Sequence, residues 1–321
     1  MNVKSTRSEF GTRRFLRKAF VLAAMIALFG AQSIILAATE SPKKFPSPEE
    51  VVRALIVAVT GHDTNALASL FGPALGDIIS PEQAQRENEL ADFSDALNTS
   101  NHLDRVEQDR CILETGEDRW PFPIPIVRAN NAWFFDTEAG KDEIVNRRIG
   151  RNELDTLKAV RAYVEAQRDY AGKDRDGDEV LEYAQKLASS PGAKDGLFWS
   201  PDVDGEISPL GPAVAVAQSK GYLQNIGEGD TEPFHGYLFR ILTRQGKNAA
   251  GGKYDYIING NMIGGFALIA WPAEYGETGI MTFLINQQGR AYQKDLGPKT
   301  DSIVHEIKEY DPDKSWARSP D

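Results

Sequence analysis

Cysteine is nearly absent: Cys111 stands alone among 321 residues. No intramolecular disulfide can form, so stability has to come from packing. A lone cysteine in the alternating stretch Asp109-Arg110-Cys111-Ile112-Leu113-Glu114 reads as a small buried hydrophobe. Histidine is scarce too. The four, His62, His102, His235 and His305, lie in separate segments, so no pair has metal-ligand spacing and no histidine-centred triad is signalled. The chain carries no Gly-x-Ser-x-Gly elbow, phosphate loop or dinucleotide fingerprint. Basic charge is in deficit, with 36 Lys and Arg against 47 Asp and Glu. Such a surface repels phosphate backbones and argues against nucleic acid as a partner. Acids this abundant also make chance carboxylate pairs inevitable, so a glycosidase-like dyad cannot be picked out by eye.

Long apolar runs are missing except at the amino terminus, where one is informative. Lys4, Arg7, Arg13, Arg14, Arg17 and Lys18 precede the run from Ala19 to Leu36, and Ala37-Ala38 then gives way to Thr39-Glu40-Ser41-Pro42. A basic flank, a short greasy core and a small-residue exit form an export signal over residues 1–38. Uncleaved, about 20 residues would be enough to span a bilayer, but Gln32, Ser33 and the small-residue exit favour removal. The expected location is periplasmic or secreted, by the general secretory route, with no membrane span after cleavage. No cysteine lies near the cleavage point, which excludes a lipoprotein anchor. Setting these residues aside removes six bases and one acid, so the net charge of −11 becomes −16 for the mature chain.

The remainder is long enough for two domains. Ser47-Pro48-Glu49-Glu50 is a capping box that opens a helix to about Val59, and Asp63 caps a second that ends at Gly72. Ser80-Pro81-Glu82-Gln83 repeats the pattern for a third helix, to about Asn98. Strands are predicted at 102–106, 110–114, 123–127 and 132–135, with Asn130-Asn131 turning the last pair. Nothing but Gly140 and Gly150 interrupts a helical pattern from Thr137 to Tyr170, where Leu154, Leu157, Val160 and Val164 form a stripe. Short helices at 180–188 and 213–220 flank a Gly/Pro-rich loop. Antiparallel strands at 237–243, 265–270, 280–286 and 291–294 follow. The fold class is α+β: helices plus antiparallel sheet in two units, 45–136 and 137–297, joined by the long helix, then a charged tail at 298–321 that reads as a loose helix and disorder.

Three resemblances bear on this order. The first unit is loosely similar to the nuclear-transport-factor-like cone, a likeness of fold alone. In the second, a long helix, a variable loop, Gly236-Tyr237-Leu238-Phe239 and a hairpin over 279–290 resemble the globular head of type IV pilins and pseudopilins. Arg147, Arg148 and Arg151 stand where the polymerising stalk would be, so the likeness implies a head without its stalk. The whole mature chain resembles the domain of unknown function 2950 family of bacterial exported proteins. That resemblance rests on Trp120-Pro121-Phe122-Pro123-Ile124-Pro125-Ile126, Trp133-Phe134-Phe135-Asp136-Thr137-Glu138-Ala139-Gly140 and Arg147-Arg148-Ile149-Gly150-Arg151-Asn152-Glu153-Leu154. Further on it includes Ala166-Gln167-Arg168-Asp169-Tyr170, Lys194-Asp195-Gly196-Leu197-Phe198-Trp199 and Ser208-Pro209-Leu210-Gly211-Pro212. It implies export and architecture and carries no activity.

The sharpest local motif is Asp174-Arg175-Asp176-Gly177-Asp178, with Glu182 one turn on. Alternating carboxylates with a glycine match the start of a calcium loop, so Asp174, Asp176, Asp178 and Glu182 are candidate Ca2+ ligands. Glu179 and Gln185 depart from that motif at its sixth and twelfth positions, and an interhelical turn rich in cap residues is the plainer alternative. Asp202-Val203-Asp204-Gly205-Glu206 is a fainter echo that reads as turn formers. Arg147, Arg148 and Arg151, with Glu143 and Glu153, suit i, i+4 ion pairs on a solvated face better than an anion site. Trp120, Trp133, Phe134, Phe135 and Trp199 read as core aromatics, with a carbohydrate or peptide platform as the functional alternative.

Two readings follow. One is a noncatalytic envelope protein that binds another envelope protein or a cell-wall component. The other is a periplasmic hydrolase working through carboxylates, assisted by calcium.

Overall fold

The computed structural model describes residues 41–175, 177–200, 205–223 and 232–319. The export signal expected over 1–38 lies outside them, as do Asp176, Asp202 and Asp204.

The first helix among the described residues is α1 (Pro48–Thr60), whose N-cap Ser47 accepts the Glu50 N–H at 3.3 Å, with Pro48 at the first position. Such a cap contributes about 1 kcal/mol. Asp63 caps α2 (Thr64–Phe71) through the Ala66 N–H at 2.9 Å. A short helical turn, α3 (Leu75–Ile78), follows. Helix α4 (Gln83–Thr99) starts later than its Ser80-Pro81 signature suggests. Ser80 is buried, and its hydroxyl donates to Gln85 Oε1 at 3.1 Å instead of capping the helix. Burial redirects the cap.

Strands β1 (Asn101–Glu107), β2 (Arg110–Thr115), β3 (Trp120–Pro121), β4 (Ile126–Ala129) and β5 (Ala132–Phe135) form one antiparallel sheet. Its order is β1-β2-β4-β5, with β3 beside β2. Asn130 and Asn131 both have positive φ, 51° and 59°, as a tight two-residue hairpin turn requires. Cys111, Leu113, Ile126, Trp133 and Phe135 point inward and pack with Val51, Leu55 and Val59 of α1. Cys111 is fully buried, the hydrophobe its pattern suggested.

The long helix α5 spans Thr137–Tyr170, as its pattern indicates, with Asp136 at the N-cap. It serves both units. Its first turns lie against the first: a Cβ on Gly140 would come within 2.7 Å of Ile124 Cα and Pro123 O, so only glycine allows this approach. Its last turns bury Leu157, Val160, Tyr163, Val164 and Tyr170 in the second core. Leu154, expected in the stripe, is exposed.

No helix forms at 180–188. The buried Gln167 side chain satisfies that segment instead: its Nε2 donates to Ala184 O and its Oε1 accepts the Ala184 N–H, each at 2.8 Å. The Tyr183 N–H reaches Met262 O at 2.9 Å. With these bonds made in trans, the backbone runs extended. Helix α6 (Gly211–Ser219) leads to β6 (Tyr237–Leu242) and β7 (Arg244–Gln245), which pairs with β8 (Tyr254–Asp255). A small hairpin joins β9 (Ile257–Ile258) to β10 (Asn261–Met262). Strands β11 (Ala267–Pro272), β12 (Met281–Asn286) and β13 (Tyr292–Asp295) come next, then α7 (Thr300–Glu306) and β14 (Ala317–Arg318). The second sheet has order β14-β13-β12-β11-β6.

The hairpin β12–β13 occupies the place expected of a closing hairpin, but β14 pairs outside it, Tyr292 against Arg318. The stretch read as a loose tail is therefore tied in. Val304 and Tyr310 are buried in the second core, and the Tyr310 N–H donates to Arg244 O at 2.9 Å. Among the described residues, no helix is long and apolar enough to cross a membrane.

Candidate functional site

Two helix faces and a turn build a cleft among the described residues. On α4, Glu89, Asp92, Phe93 and Ala96 share a face through three- and four-residue spacing; Ile144, Arg147 and Arg151 do so on α5. Between them comes the β2–β3 turn, where Gly116 and Arg119 take positive φ and Trp120 returns beside Thr115. The cleft is open to solvent on one side, with a volume of about 480 Å³, within the range of small-ligand sites. Its floor is aromatic. Phe93 and Phe122 stack with centroids 5.0 Å apart, and Phe122 meets Phe135 edge-on at 6.0 Å.

Trp120 lies at the rim, 64% exposed, while Trp133 and Trp199 are buried. The two buried tryptophans behave as the core aromatics expected, and Trp120 departs from them. The Arg147 guanidinium covers part of its ring at 5.6 Å. Arg147 is itself held by Glu143 Oε1 at 2.7 Å and by Pro121 O at 3.0 Å, the former being the i, i+4 pair its spacing suggests. Arg151 reaches across to Glu89 at 3.3 Å. Burial raises the Glu89 carboxyl above its ordinary value, with Arg151 opposing the shift.

The arginine cluster does not share one solvated face. Arg148 is 1% exposed, and its Nη2 donates to Ile78 O. Its Nη1 is 3.9 Å from Glu277 Oε2, and neither Nε nor Nη1 has a hydrogen-bond partner. A guanidinium is long enough to lie in the seam between the units, which no spacing rule reveals. Glu153 likewise turns from its arginine neighbours to accept the Ile280 and Met281 N–H groups, each at 3.0 Å.

That seam holds a second group of titratable side chains. Glu82 accepts the Gly236 N–H at 2.7 Å, yet burial pushes its carboxyl up to about 7. His235 directly precedes Gly236 in the chain. Burial depresses the His235 imidazole, and Asp155 at 3.8 Å opposes the change. Gln85 donates to Asn152 Oδ1 at 2.7 Å, and Asn152 donates to Thr278 O at 2.9 Å. The chain of amides links α4 through α5 to the β11–β12 connection of the second unit.

The candidate calcium residues are placed as follows. Asp174 accepts the Gly177 and Glu179 N–H groups at 2.7 and 3.0 Å. Asp178 accepts the Val180 N–H at 2.8 Å and Asn261 Nδ2 at 2.6 Å. Glu182 accepts the Met262 N–H at 2.8 Å. Asp174 and Asp178 thus act as turn residues, and Glu182 ties the segment to the β9–β10 hairpin. Among the described residues, no three or more His, Cys, Asp or Glu side chains are grouped to hold a metal ion; Asp176 is outside that set. The echo motif contributes Glu206. Lys173, Arg175 and Lys194 surround it at 2.8, 2.7 and 2.6 Å and hold its carboxyl down at about 2.

Pattern reading missed the cleft because its parts are remote in sequence. The one available signal was Trp120 near Asp118 and Glu117, a tryptophan outside the strands predicted at 110–114 and 123–127.

No curated protein matches the chain, and no solved structure does. One family model does, described as Protein of unknown function (DUF2950), over residues 42–319. The match takes in both sheets, the long helix and the tied-in carboxyl terminus, so the chain belongs to the DUF2950 family.

Proposed function

We propose that the mature chain is an exported, noncatalytic binding protein of the cell envelope whose ligand seats in the cleft beneath Trp120. The amino-terminal pattern supports export. One observation carries the binding reading: a tryptophan left 64% exposed at the rim of an aromatic-floored cleft, where burial would be its ordinary fate. Glu89 and Arg151 give that cleft polar groups that can orient a ligand.

The test is a photo-cross-linking amino acid at position 120, made in the exporting cell. A discrete adduct with one envelope component is expected, with none from the same substitution at Val57, which is comparably exposed. Adducts at neither position, or the same adducts at both, would overturn the reading. Export is checked by the mass of the protein in the envelope fraction, which should begin near residue 39.

A second reading, a hydrolase using carboxylates, draws on Glu82, whose carboxyl near 7 suits proton transfer at neutral pH. It requires turnover of a defined cell-wall, glycan or peptide substrate that Glu82→Gln abolishes while the fold is kept. Turnover that survives Glu82→Gln counts against it.

A further inference from the structure

We infer that the cleft's occupant is a basic peptide segment of the partner, carrying two or more lysine or arginine side chains. This rests on the binding reading above and adds the ligand's chemistry.

The argument is a balance of charges. Both cations in the cleft are already paired: Arg147 with Glu143 at 2.7 Å, and Arg151 with Glu89 at 3.3 Å. On the opposite side Asp92, Glu117 and Asp118 line the cleft, all three exposed, and none has an ion-pair partner among the described residues. The nearest base in sequence, Arg119, is taken by Glu114 at 2.9 Å. What the cleft leaves unbalanced is therefore negative. Beside these carboxylates stands the exposed ring of Trp120, the aromatic best suited to accept a cation on its face. Arg147 already uses the ring in this way from within the protein.

The geometry narrows the cation further. The carboxylates belong to two different elements, Asp92 to α4 and the other pair to the β2–β3 turn. They are not grouped to share one metal ion among the described residues. A ligand must therefore present its positive charges at separate points. It must also cover the apolar floor of Phe93, Phe122 and Ile144 between them. A chain with spaced basic side chains and apolar ones between them meets both demands; a compact amine meets only the first. Glu89 adds a linked effect. Its carboxyl is raised by burial and by Asp92 among its neighbours, with Arg151 and Arg148 opposing. A bound cation would favour its ionised form, so binding tightens as pH rises through its titration.

The test uses a blocked tetrapeptide of three lysines and one leucine, titrated calorimetrically into the mature protein. Saturable binding is expected, weakening about tenfold when ionic strength rises from about 0.05 to 0.5 M. The combined variant Asp92→Asn, Glu117→Gln, Asp118→Asn should weaken binding at least about tenfold, and its exposed positions leave the fold intact. Asp301→Asn with Glu306→Gln on α7 should leave binding unchanged. Equal binding to the wild type and the triple variant would overturn the inference. So would tighter binding of a tetraglutamate peptide, or spermine binding as tightly as the peptide, which would point to a small amine. A position-120 adduct together with no tetrapeptide binding would remove the basic-peptide assignment and leave the cleft reading standing. Absence of the adduct removes both.

Discussion

The two sheets of this protein are built from similar antiparallel strands yet meet solvent differently. In the first, β2 alternates buried and partly exposed residues, and edge strand β1 is exposed along nearly its whole length. Helices cover one face only, and charged residues on β1 blunt the open edge. In the second, β11 is buried at every position, and both α5 and α7 pack against it. A strand covered on both faces reads as a continuous apolar run, and Ala-Leu-Ile-Ala-Trp-Pro does. The difference separates two jobs. The doubly covered half supplies a dense core, while the half with open surface keeps the cleft, whose walls are not needed to close a core.

The comparison can be broken at several points. The largest effect is expected from Phe283→Ala in β12, which is fully buried. Loss of about 3–5 kcal/mol of unfolding free energy in urea should result. A loss below 1 kcal/mol would mean that the second core is no denser than the first. Gly140→Ala is next. The added methyl would meet the Ile124 and Pro123 backbone at 2.7 Å, and about 1–3 kcal/mol should be lost as the long helix is pushed from the first sheet.

Glu82→Gln sharpens the comparison at the seam. The carboxyl is held near 7 in the folded chain against the ordinary 4.5 of a glutamate, so the folded state keeps a proton that the unfolded state has lost. Stability from this group is present below the lower value and falls as pH rises through the upper one. Glutamine can still accept the Gly236 N–H but cannot titrate. The variant should therefore gain in melting temperature relative to the wild type between pH 5 and pH 8; parallel curves would remove Glu82 from the seam's pH response. Trp120→Ala should have the smallest effect on stability, within about 0.5 kcal/mol, because an exposed ring buries little. A larger loss would make Trp120 a structural residue and count against its role in binding.

How much of this was legible in sequence depended on the range of the interaction. Ser47 and Asp63 cap their helices because a cap is satisfied three residues away. The bounds of α5 and the Asn130-Asn131 turn followed from equally local rules. The segment at 180–188 looked helical by composition, but its partner Gln167 is remote in sequence, and two hydrogen bonds from that side chain overrode local preference. The carboxyl-terminal stretch looked loose because its charges are many. Val304 and Tyr310 anchor it through contacts with strands far back in the chain. The arginine cluster divides for a similar reason: Arg147 makes the local pair that spacing foretells, whereas Arg148 faces a seam assembled from Ile78 and Glu277.

By itself, then, the sequence determined the α+β class, the long helix, most strands and the family, because period, caps and turns act within a few residues. Only the tertiary structure decided which charges are paired, which tryptophan is left exposed, and that α4, α5 and the β2–β3 turn enclose a common cleft. Those outcomes depend on distances between residues that the chain order keeps apart, and burial, which sets both charge and exposure, exists only once the layers have packed.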